Sequence, residues 1–119
     1  MKLAEIAFFT EDVEGTSNFY QSLLGTEPIA QSESMAIFMI DGTKIFIHRT
    51  YEPGEDDLPP ENHLAFAVDN VDKASNNFQD QGLKVEAAPK NYYWGRSAYL
   101  RSPDGQLIEL IESDDGGGN

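Results

Sequence analysis

The sequence predicts an α+β fold of two tandem βαβββ modules, forming a curved sheet or partly open barrel with helices outside and a central cleft. Three observations carry this prediction. Strand-like and helix-like patterns follow one another in the same order twice: strand, helix, then three strands. An offset of 58 residues lays Glu5 on His63, Asp12 on Asn70, Val13 on Val71 and Tyr20 on Phe78. Such self-similarity marks an internal duplication. An Asp-Gly pair precedes the last strand of each half, at Asp41-Gly42 and at Asp104-Gly105. Two units of this kind, each with one sheet face covered by its helix, are expected to pair and line a cleft with their uncovered faces.

The first strand is expected over Leu3–Phe9, where Leu3, Glu5, Ala7 and Phe9 share one face and Ala4, Ile6 and Phe8 the other. Asp12 caps the helix that follows, and Glu14 in its first turn suits the positive end of the helix dipole. Val13, Ser17, Tyr20 and Leu24 recur at helical spacing, and Gly25 ends the run. Strands are then expected near Ile29–Gln31, Met35–Ile40 and Lys44–Arg49, with Asp41-Gly42 turning a hairpin between the last two. The stretch 51–61 holds three prolines, a glycine and five acids and reads as an exposed linker. The second half repeats the pattern: strand Asn62–Val68, a helix capped by Asn70 with stripe Val71, Ala74 and Phe78, a stop at Gly82, and strand Val85–Ala87. Pro89–Arg96 reads as an aromatic loop, followed by strand Ser97–Arg101. Pro103-Asp104-Gly105 is a turn, and a strand runs on to Glu112. The expected organisation is one domain over residues 1–112, made of modules 1–50 and 62–112 joined by the linker, and a flexible acidic and glycine-rich tail over 113–119.

Composition narrows the chemistry. Cysteine is absent, so disulfides and thiolate metal sites are excluded. A formal charge of −13 opposes binding to nucleic acid or anionic membranes, which need clustered Lys and Arg. It suits a cationic ligand, a divalent metal or simple solubility. No long apolar run opens the chain, so neither a signal peptide nor a membrane span is expected, and a cytoplasmic protein follows by default. Neither a Gly-x-Ser-x-Gly nucleophile elbow nor a phosphate-cradling glycine loop is present.

Glu109 is the anomaly that chemistry must explain. It lies in Leu107–Glu112, a strand with two apolar faces, where a carboxylate needs a partner. The duplication supplies candidates. Glu5 and His63 occupy the first strand of each half, and His48 and Glu109 the last. Counted from the Asp-Gly turns, His48 lies two residues deeper than Glu109, roughly 6.6 Å along a strand. Two imidazoles and two carboxylates make a mixed N/O set suited to Mn, Fe, Co, Ni or Zn, with Glu109 and Glu5 available for proton transfer. Plainer readings stand beside these. His63 can be a satisfied core histidine, Glu109 a partner of Arg96 or Arg101, Glu5 the edge of an exposed face, and His48 an exposed histidine. Tyr92, Trp94 and Arg96 can wall a small-molecule cleft, with the arginine as an anion anchor, or can pack a dimer or the barrel edge.

These marks together resemble the vicinal-oxygen-chelate superfamily, also called the glyoxalase / bleomycin-resistance / dioxygenase family. The resemblance rests on Asp12-Val13 through Phe19-Tyr20 to Leu24-Gly25, on His63-Leu-Ala-Phe-Ala-Val-Asp69, on Trp94-Gly95-Arg96, and on Pro103-Asp104-Gly105 to Ile108-Glu109-Leu110. It implies ligand places at Glu5, His48, His63 and Glu109, a homodimer, and a small-molecule substrate or ligand. The family commonly has His where this chain has Glu5, and its glyoxalase I members have Glu near the place of His48. The two departures together read as a swap, and separately as loss of a metal site. The implied functions are a divalent-metal-dependent lyase or isomerase acting on a small oxygenated substrate, a metal-free binding protein of the bleomycin-resistance type, or a homologue with a degenerate cleft.

Overall fold

A computed structural model describes residues 1–54 and 58–113. The acidic run Glu55–Asp57 and the tail beyond Ser113, expected as solvated or flexible segments, lie outside the described residues. Among the described residues, eight strands and two helices follow in the order expected for two βαβββ modules: β1(Lys2–Thr10), α1(Val13–Leu24), β2(Ala30–Gln31), β3(Met35–Ile40), β4(Thr43–Arg49), then β5(His63–Val68), α2(Val71–Asp80), β6(Lys84–Tyr92), β7(Gly95–Arg101) and β8(Leu107–Glu112). The fold is α+β. The chain divides into two compact units, one spanning Glu5–Asn62 and the other joining Met1–Ala4 to the chain from His63 on. Neither helix is long and apolar enough to cross a membrane.

In the first unit the strand order is β2-β3-β4-β1, with β1 and β4 parallel and the other pairs antiparallel. Asp12 caps α1, accepting from the Gly15 amide, and Gly25 closes the helix in the left-handed region at φ 70°. The predicted stripe packs as a core: Val13 with Ala36, Phe38 and Ile47, flanked by Phe8, Tyr20, Leu24 and Ile45. Asp41 and Gly42 both take positive φ, 48° and 84°, as a two-residue turn of the primed type demands.

The second unit repeats this topology as β5-β8-β7-β6, with β5 and β8 parallel and the others antiparallel. Asn70 caps α2 by accepting from the Lys73 amide. Val71, Ala74 and Phe78 pack on Val68, Ala98, Leu100 and Leu110. Strand alternation therefore commits Phe66, Val68, Ile108 and Leu110 to the helix side. His63, Ala65, Leu107 and Glu109 fall on the opposite face. The turn Ser102–Gly105 is closed by the Gly105 amide donating to the Ser102 carbonyl at 2.9 Å.

One expectation is corrected. Pro89–Arg96 is not a loop: β6 runs through Pro89 to Tyr92, and Tyr93-Trp94 turns directly into β7. Proline interrupts a central strand because it cannot donate, but β6 is the last strand in its unit's order. The β6–β7 register also shifts between Ala87 and Lys90, so the irregularity surrounds the proline.

Candidate metal centre

Glu109 is the hub of the second unit's open face. It sits mid-strand in β8, opposite Ala65 on one side and Tyr99 on the other. It is 4% exposed. Three groups from three elements meet its carboxylate. His63, at the start of β5, places Nε2 at 3.1 Å from Oε1. Ser97 in β7 donates to Oε2 at 2.7 Å. Trp94 in the hairpin turn donates its indole N–H to Oε2 at 3.0 Å, sharing it with Ser97 Oγ at 3.2 Å. These hydrogen bonds offset the cost of burying a polar carboxyl group. The Tyr99 ring stands edge-on to His63, with centroids 6.1 Å apart, and walls this pair from the β7 side.

The donor set can be tested against a divalent ion. Two ligand atoms about 2.1 Å from one ion and at a right angle are about 3 Å apart. The Nε2–Oε1 separation is 3.1 Å, so the pair is spaced as two neighbouring ligands would be. An imidazole nitrogen and a carboxylate oxygen suit zinc and the divalent ions from manganese to nickel. A metal ligand must be deprotonated, so ion uptake here would release any proton held between Nε2 and Oε1.

The other sequence candidates have neighbours within their own units. In the first unit Glu5 pairs in register with Lys44, whose Nζ lies 3.7 Å from its Oε1. His48 pairs with Phe9, four residues further along both strands, or about 13 Å. Its Nδ1 lies 2.7 Å from the Arg49 carbonyl oxygen, and the rings of Phe9, Phe46 and Tyr51 surround it at 5.4–6.0 Å. Within that unit the structure does not bring Glu5 and His48 together. Arg96 forms a two-pronged bond to Asp72 at the start of α2, 2.7 and 2.8 Å, and donates to Asn91 at 2.9 Å. The Arg96 guanidinium holds the Asp72 carboxyl below its ordinary value, chiefly through that hydrogen bond. Arg101 meets Glu86 at 3.5 Å and the Gly105 carbonyl at 2.9 Å. Tyr92 stacks on Trp94 with centroids 4.5 Å apart and planes at 10°, and Tyr93 meets Trp94 edge-on.

Two residues central to this site were not singled out for it in the sequence. Ser97 was read only as the start of a strand, and Trp94 as a cleft wall or as packing for a dimer or the barrel edge. The available signal was period two: Ser97, Tyr99 and Arg101 share a face, and Tyr99 opposes Glu109.

A model of the Glyoxalase/Bleomycin resistance protein/Dioxygenase superfamily matches residues 2–110. The chain is 29% identical to a lactoylglutathione lyase of Salmonella typhimurium, over 98% of this chain and 96% of that protein. It is also 29% identical to the Bacillus subtilis protein YraH, over 94% of this chain and 98% of that one. Among solved structures, the Bacillus halodurans protein BH1468 superposes with a TM-score of 0.72 at 20% identity, over 94% of each chain. With the repeated βαβββ topology and a histidine–glutamate pair on the helix-free face, these likenesses place the chain in the glyoxalase/bleomycin resistance protein/dioxygenase superfamily.

Proposed function

We propose that this protein is a divalent-metal-dependent lyase or isomerase acting on a small oxygenated substrate. His63 and Glu109 are two of its ligands. Glu5, the duplication partner of His63, is the third, supplied by the first module of the same chain or of a partner chain. One observation carries the reading: a buried carboxylate with an imidazole nitrogen at 3.1 Å, spaced as ligands of one ion. The lactoylglutathione lyase relative supports the reaction class. A bound Ni, Zn, Mn, Fe or Co ion supplies Lewis-acid polarisation of the substrate's oxygens. The chain's own part is to orient Glu109 through Trp94 and Ser97 and to offer Glu109 and Glu5 as proton-transferring carboxylates. His48 is left out of the ligand set because of its distance along the strands from Glu5. The two modules are proposed to act as one domain, in a cytoplasmic homodimer.

A second reading is favoured by a different observation. Both Glu109 oxygens already have hydrogen-bond partners in the chain itself, so the face is chemically complete without an ion. A metal-free protein binding aromatic or cationic compounds beside Tyr92 and Trp94 is that alternative, and the charge of −13 suits it.

Turnover separates the two. Protein loaded in turn with each ion is offered the adduct of methylglyoxal and glutathione. We expect isomerisation of the adduct, with kcat/KM lowered about 100-fold or more in Glu109→Gln, the scale of a lost acid–base group. Ion uptake without turnover on this adduct, or on a panel of other 2-hydroxy and 2-oxo substrates, would count against the enzyme. A thermal shift with bleomycin-like cations and no turnover would favour the second reading.

A further inference from the structure

Trp94 enters the candidate site through its nitrogen rather than its ring face. Its N–H and the Ser97 hydroxyl both point at one oxygen of Glu109, Oε2, at 3.0 and 2.7 Å. The other oxygen, Oε1, is the one beside His63 Nε2. A carboxylate without such donors can turn about its last bond and offer an ion either oxygen, or both. Here the donors are themselves held. Trp94 is stacked on Tyr92 and braced edge-on by Tyr93. Next to the turn, Arg96 ties β7 to Asn91 across the hairpin and to Asp72 on α2. The hairpin tip is therefore part of a built support. Ser97 is wholly buried, and Trp94 is about half-exposed.

We propose that Trp94 and Ser97 are positioning residues that retain Oε2, so that Glu109 presents Oε1 alone beside His63 and meets a divalent ion through one oxygen. The proposal rests on the metal reading for its consequence, and on the hairpin geometry for its cause. It reassigns Trp94 from a wall of a small-molecule cleft to a support for the ligating carboxylate. Partners that hold a ligand in place commonly change metal affinity 10- to 100-fold when removed.

The test uses the full chain with Trp94→Phe and Ser97→Ala, singly and together, each also made in a Glu109→Gln background. Zinc binding is measured by calorimetry, and cobalt binding by visible absorption. We expect the double variant to bind zinc about 10-fold more weakly or worse. Its cobalt bands should lose intensity as the released second oxygen raises the coordination number. In the Glu109→Gln background neither substitution should matter further. Zinc bound at wild-type affinity with an unchanged cobalt spectrum would overturn the proposal and leave the metal reading standing. Trp94 is the single tryptophan of the chain, so emission of the metal-free protein gives an independent arm. Glu109→Leu should shift it, and an unshifted spectrum would also overturn the proposal. A wild-type protein that takes up neither ion overturns single-oxygen ligation together with the metal reading; the emission shift then still upholds Trp94 as the holder of Glu109. Should the double variant not fold, Ser97→Ala and the emission arm decide.

Discussion

A buried polar atom is informative according to whether it is satisfied, and Glu109 and Ser17 sit at the two extremes. Glu109 has three hydrogen-bond partners within 3.1 Å. Ser17, wholly buried on the inner side of α1, has a hydroxyl with no hydrogen-bond partner among the described residues. Its duplication counterpart, Ser75 in α2, is also buried, so a small residue at this turn lets each helix lie close to its sheet. Size explains the position and the hydroxyl does not. Ser17→Ala should therefore raise stability by about 1 kcal/mol, the cost of an unsatisfied buried hydroxyl, read by chemical denaturation. A loss of stability would mean that the hydroxyl is bonded. Glu109 was visible in the sequence as an oddity because β alternation put it between apolar neighbours. Of its partners, His63 was reachable through the duplication, but Ser97 and Trp94 were not, and the nearest cations in sequence, Arg101 and Arg96, are engaged by Glu86 and Asp72 instead.

At the scale of elements, the helices and turns were legible because local chemistry writes them. Asp12, Asn70, Gly25 and Asp41-Gly42 each do what their residue type favours. The β6–β7 hairpin was hidden because Pro89 reads as a break, and only a strand's place in the sheet decides whether a break is needed. Gly15 lies inside α1, where glycine ordinarily weakens a helix, and it has a reason: a Cβ there would collide with the Asp12 carboxylate that caps the helix. Asp12→Ala should cost about 1 kcal/mol. Gly15→Ala, ordinarily a gain of up to about 1 kcal/mol, should gain little alone and its full amount only when combined with Asp12→Ala. Additive effects in denaturation would contradict this coupling. The Asp72–Arg96 link gives a pH signature. Asp72 has its carboxyl lowered from 3.8 in the folded state, so its contribution is present above that value and fades as pH falls through the lower, folded one. The Tm difference between wild type and Asp72→Asn should be constant from pH 7 to about 5 and close below pH 4. A difference that persists into acid would show that the carboxylate's charge is not its source.

At the scale of the molecule, duplication did the most to make function readable. It turned one odd acid into positions that could be checked against each other, and both modules carry the same strand order and helix-covered core. What sequence symmetry could not deliver was depth along the strand. His48 and Glu109 are equivalent by parity, but Phe9 rather than Glu5 stands beside His48. The charge of −13 suits cation uptake at any acidic surface, so only a stoichiometric, residue-dependent measurement speaks to the site.

The most direct measurement is the metal content of the untagged protein after supplementation with Ni, Zn, Mn, Fe and Co, followed by dialysis and elemental analysis. One divalent ion per chain should remain in the wild type, and none in His63→Ala or Glu109→Ala at unchanged secondary structure. A wild type that retains no ion, or variants that retain as much as the wild type, would contradict the metal centre.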